Sequence, residues 1–376
     1  MRHAALPLLL LLAACPEELP EPEPDCLAVG SARLLDGWDP AHVGPLSNPQ
    51  AGDAYLSNDR VQVVVQGPGR DLAVNPWGGN IIDADVIRED GSLRDVFGEV
   101  APFINLAGTG SADRVVVVND GSCGEPAQVR SEGTYVLSDY VNLTTGVNIV
   151  LPGALDGVDV DAPHPLDVAT TFTAEPGASW IRVATTATNR GDVPVPFLLA
   201  WLAEGGLTRA FLPAEEGWDL SSFGGAEYLV FAGDGVAYGL LPLSEERVPA
   251  RGYVSFVGAY ALAQDRTALD IFGYPESADL IAPGGSRTAE LAFVIGATHA
   301  DVVETIQGLL DVPCAAVSGT LLEEGGGPIA GAFVSAMAGT ASDEGVDLAR
   351  DSTDAEGRWF LCLPPGPARL IAGQEG

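Results

Sequence analysis

The chain of 376 residues contains no lysine, and all 18 of its basic residues are arginines. The 52 acidic residues outnumber them, so the formal net charge at pH 7 is −34. A polyanion of this kind repels the phosphates of nucleic acids and the headgroups of anionic lipids. The composition therefore argues against nucleic-acid binding and against purely electrostatic attachment to a membrane.

Histidines are also scarce, and they are scattered. The four are His3, His42, His164 and His299, with no His-x-His or His-x-x-x-His spacing among them. A zinc or binuclear metal site needs several converging ligands. No Gly-x-Ser-x-Gly elbow, P-loop or dinucleotide-binding glycine motif is present either. We therefore expect no catalytic residue, no metal and no cofactor, and we interpret His164 and His299 as ordinary loop or surface residues.

Two acidic clusters offer oxygen atoms of the kind that Ca²⁺ prefers. They are Asp83-Ala84-Asp85 and the segment 156–161, and neither has the ligand spacing of an EF-hand. In a chain this acidic, close pairs of aspartates arise by chance. We interpret both clusters as solvated loops.

The N-terminus is typical of a secretory signal. Met1-Arg2-His3 precedes an apolar stretch over 4–12 that is shorter than the roughly 20 residues needed to span a bilayer. It ends in Leu12-Ala13-Ala14-Cys15, which resembles a bacterial lipobox. The resemblance implies that residues 1–14 are removed and that Cys15 is acylated, which would anchor the protein in a lipid membrane. The alternative is a plain secretory peptide with a chance cysteine.

Pro16 follows Cys15 where an aspartate would favour retention in the inner membrane. By resemblance to Gram-negative lipoprotein sorting, we expect the outer membrane of the cell envelope. Residues 16–25 alternate proline and glutamate, a composition that favours an extended, self-repelling chain of about 3 Å per residue. We interpret 15–25 as a tether between the lipid and the body of the protein.

The body alternates apolar and polar residues with the period of a β-strand. The predicted strands are 60–66, 168–174, 180–188, 252–261 and 288–296, together with a hairpin of 228–232 and 236–241 around Gly233-Asp234-Gly235. One helix is predicted over 299–310, with Thr298 and Asp301 as a capping box. Many strands and almost no helix predict an all-β fold of the sandwich type.

Five cysteines fit an exported chain. Cys15 would carry lipid, which leaves two pairs for disulfides. Proximity in the sequence favours Cys314–Cys362 and Cys26–Cys123, although three connectivities are possible and free buried thiols are the alternative.

A domain boundary is predicted near residue 313. After it, Val317-Ser318-Gly319-Thr320-Leu321 and the turn-and-strand segment 353–360 resemble the carboxypeptidase regulatory-like domain, a small transthyretin-like β-sandwich. The resemblance implies a spacer or binding module over 313–376. The closing strand of that pattern is missing after 368–373, so we expect a domain that is truncated or that closes with fewer strands.

The large domain, 26–312, resembles the galactose-mutarotase-like β-supersandwich. The resemblance rests on 171–177 and on the segment 181–195. The segments 58–61 and 77–85, with the same domain order, resemble the N-terminal part of secreted PHP-type metallohydrolases. These resemblances imply accessory β-domains of an enzyme whose catalytic domain is absent from this chain or, less readily, a degenerate aldose epimerase.

Three tryptophans in turn-like contexts give a hint of binding. Trp38, Trp77 and Trp218 stand beside aspartate, asparagine or glycine, and Asn80 follows Trp77 closely. Tryptophan in such a setting stacks on sugar rings, although tryptophans that cap the ends of a sandwich would look the same. We interpret the chain as a membrane-anchored, non-catalytic surface lipoprotein that binds or presents a ligand, with a glycan as the first ligand to test. The sequence identifies no protein partner.

Overall fold

The structure, a computed structural model, describes residues 29–37, 44–46, 48–69, 75–138, 162–213, 217–218, 223–256, 258–339 and 347–373. Within these ranges the chain forms 24 strands and two short α-helices. The predicted all-β class is confirmed.

The elements follow one another along the chain. The first strands are β1 (Ser31–Leu34), β2 (Ala54–Ser57), β3 (Val61–Val65), β4 (Ile81–Val86), β5 (Glu99–Ile104), β6 (Gly108–Asn119), β7 (Ala127–Leu137), β8 (Leu166–Ala174) and β9 (Trp180–Asn189). The next are β10 (Val195–Phe197), β11 (Leu199–Glu204), β12 (Arg209–Phe211), β13 (Phe223–Ala226), β14 (Leu229–Ala232), β15 (Ala237–Leu243), β16 (Arg251–Phe256), β17 (Ala259–Thr267), β18 (Asp279–Ile281) and β19 (Ser286–Gly296). The last are β20 (Ala315–Thr320), β21 (Phe333–Ala338), β22 (Asp347–Ser352), β23 (Arg358–Leu363) and β24 (Ala368–Gly373). The helices are α1 (Ala268–Phe272) and α2 (His299–Leu309).

Seventeen of the strands belong to one antiparallel, hydrogen-bonded network. The strands β6, β7, β8, β9, β19 and β15 pair in that order, and β11 joins both β5 and β17. The short strands β10 and β18 pair separately. Strand β11 thus connects β5 with β17, and β19 connects β9 with β15.

Aromatic side chains fill the centre of this domain. Phe97 packs against Tyr238 and Phe293, with ring centroids 4.8 and 5.2 Å apart. Trp201 in β11 has no exposed surface. Burying such large apolar side chains is the main favourable term in folding, so the core of the large domain lies here.

The regular periodicity of the sequence predicted several elements well. The strands expected at 168–174, 180–188 and 288–296 correspond to β8, β9 and β19. The hairpin forms as β14 and β15, and Ala232 pairs with Ala237 across the predicted turn. Helix α2 has the expected capping box, in which the Thr298 side chain accepts from the Asp301 N–H and the Asp301 carboxylate accepts from the Thr298 N–H.

Two details of the prediction are wrong. The segment 252–261 is not one strand but parts of β16 and β17, which pair with each other through a turn at Gly258. Gly258 has φ +86°, a conformation that glycine adopts at little cost. The alternation over 60–66 places Gln66 on the face opposite Val61, Val63 and Val65, where a solvent-exposed side chain is expected, yet Gln66 has no exposed surface.

The C-terminal strands form two small sheets, β20 with β23 and β22–β21–β24. A disulfide joins Cys314 to Cys362, as predicted, with the Cα atoms 5.3 Å apart. Cys123 lies in the short 3-10 turn Ser122–Gly124. Cys26 and Cys15 lie outside the described residues, so the second disulfide and the lipid attachment remain predictions.

In the described part of the chain, no helix is both long and apolar enough to cross a membrane.

Candidate functional site

A cleft lies where β10, β11, β15, β17, β18 and β19 approach one another. Its volume is about 710 Å³, within the size range of small-ligand sites. Apolar side chains line one part of it, and these are Phe197, Leu199, Leu243, Val248 and Ala289. The remaining lining is polar and mostly charged. We call this feature the β17–β19 cleft.

Five carboxylates and two guanidinium groups line the cleft. The carboxylates belong to Glu245, Glu246, Asp265, Asp279 and Glu290, and the guanidinium groups to Arg266 and Arg287. The side chains of a cleft with both charges can accept and donate hydrogen bonds. Such a lining suits a polar ligand that carries several hydroxyl groups.

Arg266 is already engaged by the wall of the cleft. Its guanidinium lies 3.1 Å from an oxygen of Asp265 and 3.1 Å from an oxygen of Asp279, and Nε donates to the backbone oxygen of Ser277. These contacts join β17 to the segment that leads into β18. Partial burial raises the pKa of Asp265, an effect that the nearby Arg266 opposes.

Other charged groups remain open to the cleft. Glu290 contacts Arg182 on β9 at 3.4 Å, across the outer face of the sheet. Within the described ranges, Glu245, Glu246 and Arg287 are exposed and form no ion pair. These three side chains are therefore the free polar groups that an incoming ligand would meet first.

A buried arginine holds the wall that carries Glu245 and Glu246. Arg251, at the start of β16, is 2% exposed. Its guanidinium donates to the backbone oxygens of Pro242, Glu227, Val248 and Gln264 and to the hydroxyl of Ser244, at 2.8–2.9 Å. Burial lowers its pKa to about 10, and the Glu227 and Asp265 carboxylates counteract part of that shift. These five bonds link the end of β15 and the loop 244–250 to Glu227 and to Gln264 of β17.

Gln264 connects this arrangement to the core. Its Oε1 accepts a 2.7 Å hydrogen bond from Nε1 of the buried Trp201, and its Nε2 donates to the backbone oxygen of Leu243. Trp201 therefore has a partner for its one polar group inside the core. Arg251 and Gln264 together hold the segment 242–244, part of which lines the cleft.

The ligand-binding residues predicted from the sequence lie elsewhere. Trp77 is half-buried in a turn, and Asn80 is fully buried and donates to Oε2 of Glu99 at 2.7 Å. Neither lines the β17–β19 cleft. Trp38 lies outside the described residues.

Trp218 does not have the exposed position that stacking on a sugar requires. It is 7% exposed, and the guanidinium groups of Arg209 and Arg350 lie 5.0 and 5.8 Å from its ring. Phe211 and His299 contact it from other sides, with ring centroids 5.1 and 5.2 Å away. Because Arg350 comes from β22, Trp218 helps join the large domain to the C-terminal strands.

Two further expectations need correction. His299 is not a surface residue but is 4% exposed at the start of α2, where its Nδ1 accepts from the Arg350 N–H at 3.4 Å. Burial lowers the pKa of His299 to about 3, so the ring is neutral at physiological pH. Asp83 and Asp85 do not lie in a solvated loop, because β4 buries both. The segment 156–161 lies outside the described residues.

Among the described residues, no group of three His, Cys, Asp or Glu side chains lies close enough together to hold a metal ion. No motif in the sequence pointed to the cleft residues. A polar run after an apolar strand, Ser244-Glu245-Glu246-Arg247, looks like any surface loop until the fold brings β17 and β19 beside it.

No protein-family model matches the chain. No curated protein matches it either. Among solved structures, a protein from Synechocystis sp. PCC 6803, Slr1438, is similar at 12% identity and a TM-score of 0.39, covering 68% of this chain and 98% of that one. A galactose mutarotase-like protein from Clostridium acetobutylicum is similar at 8% identity and a TM-score of 0.35, covering 65% and 96%.

A GH36 alpha-galactosidase from Geobacillus stearothermophilus is similar at 12% identity and a TM-score of 0.39, covering 70% of this chain and 42% of that one. The neighbours thus include galactose mutarotase-like folds at low identity. Because each likeness is weak, no functional residue is transferred, and the interpretation of the cleft depends on its own side chains.

Proposed function

We propose that this protein is a lipid-anchored protein of the bacterial cell envelope that binds a carbohydrate in the β17–β19 cleft, without catalysis. The observation that carries the proposal is the cleft itself. It combines a volume of about 710 Å³ with free carboxylate and guanidinium groups and with apolar lining residues. Sugars offer both hydroxyl groups and apolar ring faces, so this lining is complementary to them.

Each side of the cleft has a role in the proposal. Glu245 and Glu246 would accept hydrogen bonds from sugar hydroxyls, and Arg287 would donate to hydroxyl or ring oxygens. Phe197 and Leu199 would contact the less polar ring face. The cleft has no exposed tryptophan among its lining residues, so binding would depend on hydrogen bonds more than on stacking.

The anchor is proposed from the sequence. The segment Leu12-Ala13-Ala14-Cys15 supports acylation of Cys15, and the Pro/Glu-rich tether would hold the body away from the membrane. In this arrangement the C-terminal strands would act as a spacer or accessory module beside the binding domain.

A glycan array probed with the Cys15→Ala protein, which lacks the proposed lipid attachment site, tests the ligand class. We expect binding to one class of glycans and a loss of about tenfold or more in the Glu246→Gln and Arg287→Ala variants, because each removes a hydrogen bond to a charged group. Arg114→Ala is the matched control, since Arg114 is exposed on β6, pairs with Glu132 and does not line the cleft. Binding that survives both cleft substitutions, or the lack of any glycan hit, would contradict the proposal.

A further inference from the structure

Asp95 is an aspartate buried in the large domain, in the segment between β4 and β5, and it is 1% exposed. Its Oδ1 accepts three hydrogen bonds, from the backbone N–H groups of Ala84 and Phe97 and from the hydroxyl of Tyr238, each at 3.2 Å. Its Oδ2 is buried and has no hydrogen-bond partner among the described residues. One oxygen of the carboxyl group therefore accepts three hydrogen bonds, and the other accepts none from the described residues.

A small cavity adjoins this carboxyl group. Its volume is about 10 Å³, close to the minimum that a single water molecule needs. Besides Asp95, its polar lining comes from Tyr55, Gln62, Asp83 and Asp85. Since Oδ1 is enclosed by its three donors, Oδ2 is the oxygen left to face the cavity and the two other carboxyl groups.

Two arginines near the cavity contact Asp85. Arg88 binds both oxygens of Asp85, at 2.8 and 2.9 Å, and the Arg94 N–H donates to Asp85 at 2.6 Å. The Arg94 guanidinium points outward, where it is half-exposed and lies 3.9 Å from Asp234. Among the described residues, no arginine forms an ion pair with Asp95. A buried carboxylate without a cation, beside other carboxylates, is strongly disfavoured.

We propose that Asp95 is a buried proton-binding site, which the folded protein keeps as a neutral carboxylic acid below neutral pH. The proton sits on Oδ2 and donates into the cavity, to a neighbouring carboxylate oxygen or to one water molecule. This assignment gives the unpartnered oxygen a hydrogen bond and removes one negative charge from the cluster. It is independent of the proposed carbohydrate site.

Burial and the neighbouring Asp85 carboxylate both favour the protonated form of Asp95. Burial raises the pKa of Asp95 to about 7. The hydrogen bonds from Ala84, Phe97 and Tyr238 oppose the shift, and the Asp85 carboxylate adds to it. Burial and the Asp95 carboxylate together raise the pKa of Tyr238, so this phenol stays protonated and remains a donor. The titratable and charged groups around the cavity are Asp83 and Asp85 from β4, Tyr238 from β15 and Tyr55 from β2, with Arg33 of β1 over the Tyr55 ring and Arg88 of the segment after β4 on Asp85.

The direction of the pH effect follows from proton linkage. In the unfolded chain the carboxyl group has an ordinary pKa near 4, and in the folded protein the value is about 7. Between these values the folded state binds one proton more, so the protein becomes less stable as the pH rises and loses the full contribution above about pH 7. The site therefore makes the fold weaker in alkaline surroundings.

Urea unfolding of the full chain from pH 4 to pH 9 tests this. For the wild-type protein, this site should raise the unfolding equilibrium constant by up to roughly tenfold per pH unit between about pH 4 and pH 7. The Asp95→Asn variant keeps the Oδ1 acceptor and places an N–H₂ toward the cavity, so it should lose that dependence. Asp113→Asn, on the exposed part of β6, is the control and should keep the wild-type profile.

A second measurement uses only the wild-type protein, so it does not depend on whether a variant folds. Infrared difference spectra of the folded wild-type protein between pH 6 and pH 9 should show the loss of a protonated carboxylic acid band. The proposal is wrong if that band is missing, or if Asp95→Asn folds and follows the wild-type pH profile. It is also overturned if CaCl₂ stabilises the wild-type protein saturably at pH 8 and has no such effect on Asp95→Asn, because the site would then hold a cation instead of a proton.

Discussion

Replacing Arg251 with methionine should loosen the wall of the β17–β19 cleft. The guanidinium donates five hydrogen bonds, four of them to the backbone oxygens of Pro242, Val248, Glu227 and Gln264. Methionine replaces the aliphatic part of the arginine side chain and has no donor, so the substitution removes all five bonds while it keeps much of the apolar contact.

The cost can be estimated from the partners left behind. Each buried carbonyl without a donor costs about 1–3 kcal/mol, although a flexible loop can recover part of this by admitting water. Removing the buried charge returns some desolvation energy. We therefore expect the free energy of unfolding to fall by about 3–5 kcal/mol for Arg251→Met. Arg251→Lys keeps the charge and three donors, and it should lose less.

Trypsin reports on the loop directly, because a chain without lysine is cut only after arginine. Arg247 stands in the middle of the loop, and its side chain pairs with Glu227. In the wild-type protein Arg251 keeps this segment in place, so cleavage after Arg247 should be slow. In Arg251→Met, local opening should speed this cleavage by about tenfold or more, with Arg251→Lys in between.

The outcome that refutes this reasoning is specific. If Arg251→Met leaves both the urea midpoint and the rate of cleavage after Arg247 unchanged, the five hydrogen bonds do not hold the loop. Faster cleavage at all arginines alike would instead indicate global unfolding, and the assignment of Arg251 to the cleft wall would fail.

Two further changes test other parts of the molecule. The double variant Cys314→Ala/Cys362→Ala removes the disulfide that joins residues 48 positions apart. The chain-entropy relation predicts that the free energy of unfolding falls by about 4 kcal/mol. Thermal unfolding of the oxidised wild-type protein and the variant measures this, and equal melting temperatures would contradict it. Cys15→Ala should move the protein from the membrane fraction to the periplasm or the medium. Its retention in membranes after a high-salt wash would show that the proposed lipid is not the anchor.

The parts of the fold that local chemistry determines were predictable from the sequence. The alternation in β8 and β9, the Gly233-Asp234-Gly235 turn and the capping box of α2 each act over a few residues. The Cys314–Cys362 disulfide was predictable because both residues belong to one small unit of the chain.

Burial that depends on distant partners was not predictable. Gln66 follows an alternating strand, yet β3 is covered on both faces, so the polar position is enclosed as well. His299 is covered by Phe211, Trp218 and the backbone of Arg350, which are far from it in sequence. The spacing of Asp83 and Asp85 is typical of a solvated pair, but both lie in β4, whose neighbouring strands bury them.

The candidate site was the least predictable feature. Its residues come from six strands and one loop, and none of them belongs to a motif. Arginine at position 251 gave no signal in the sequence, because only the folded chain shows that its donors meet backbone oxygens from separate segments. The tryptophans that gave a signal lie away from the cleft.

Hydrogen–deuterium exchange with a glycan from the array tests the central claim most directly, because it locates the bound ligand on the protein. We expect the glycan to slow exchange in the segments 243–250, 264–266 and 287–290, which line the β17–β19 cleft. Protection confined to the turn 76–80 around Trp77, with the three cleft segments unchanged, would place the ligand elsewhere and contradict the account.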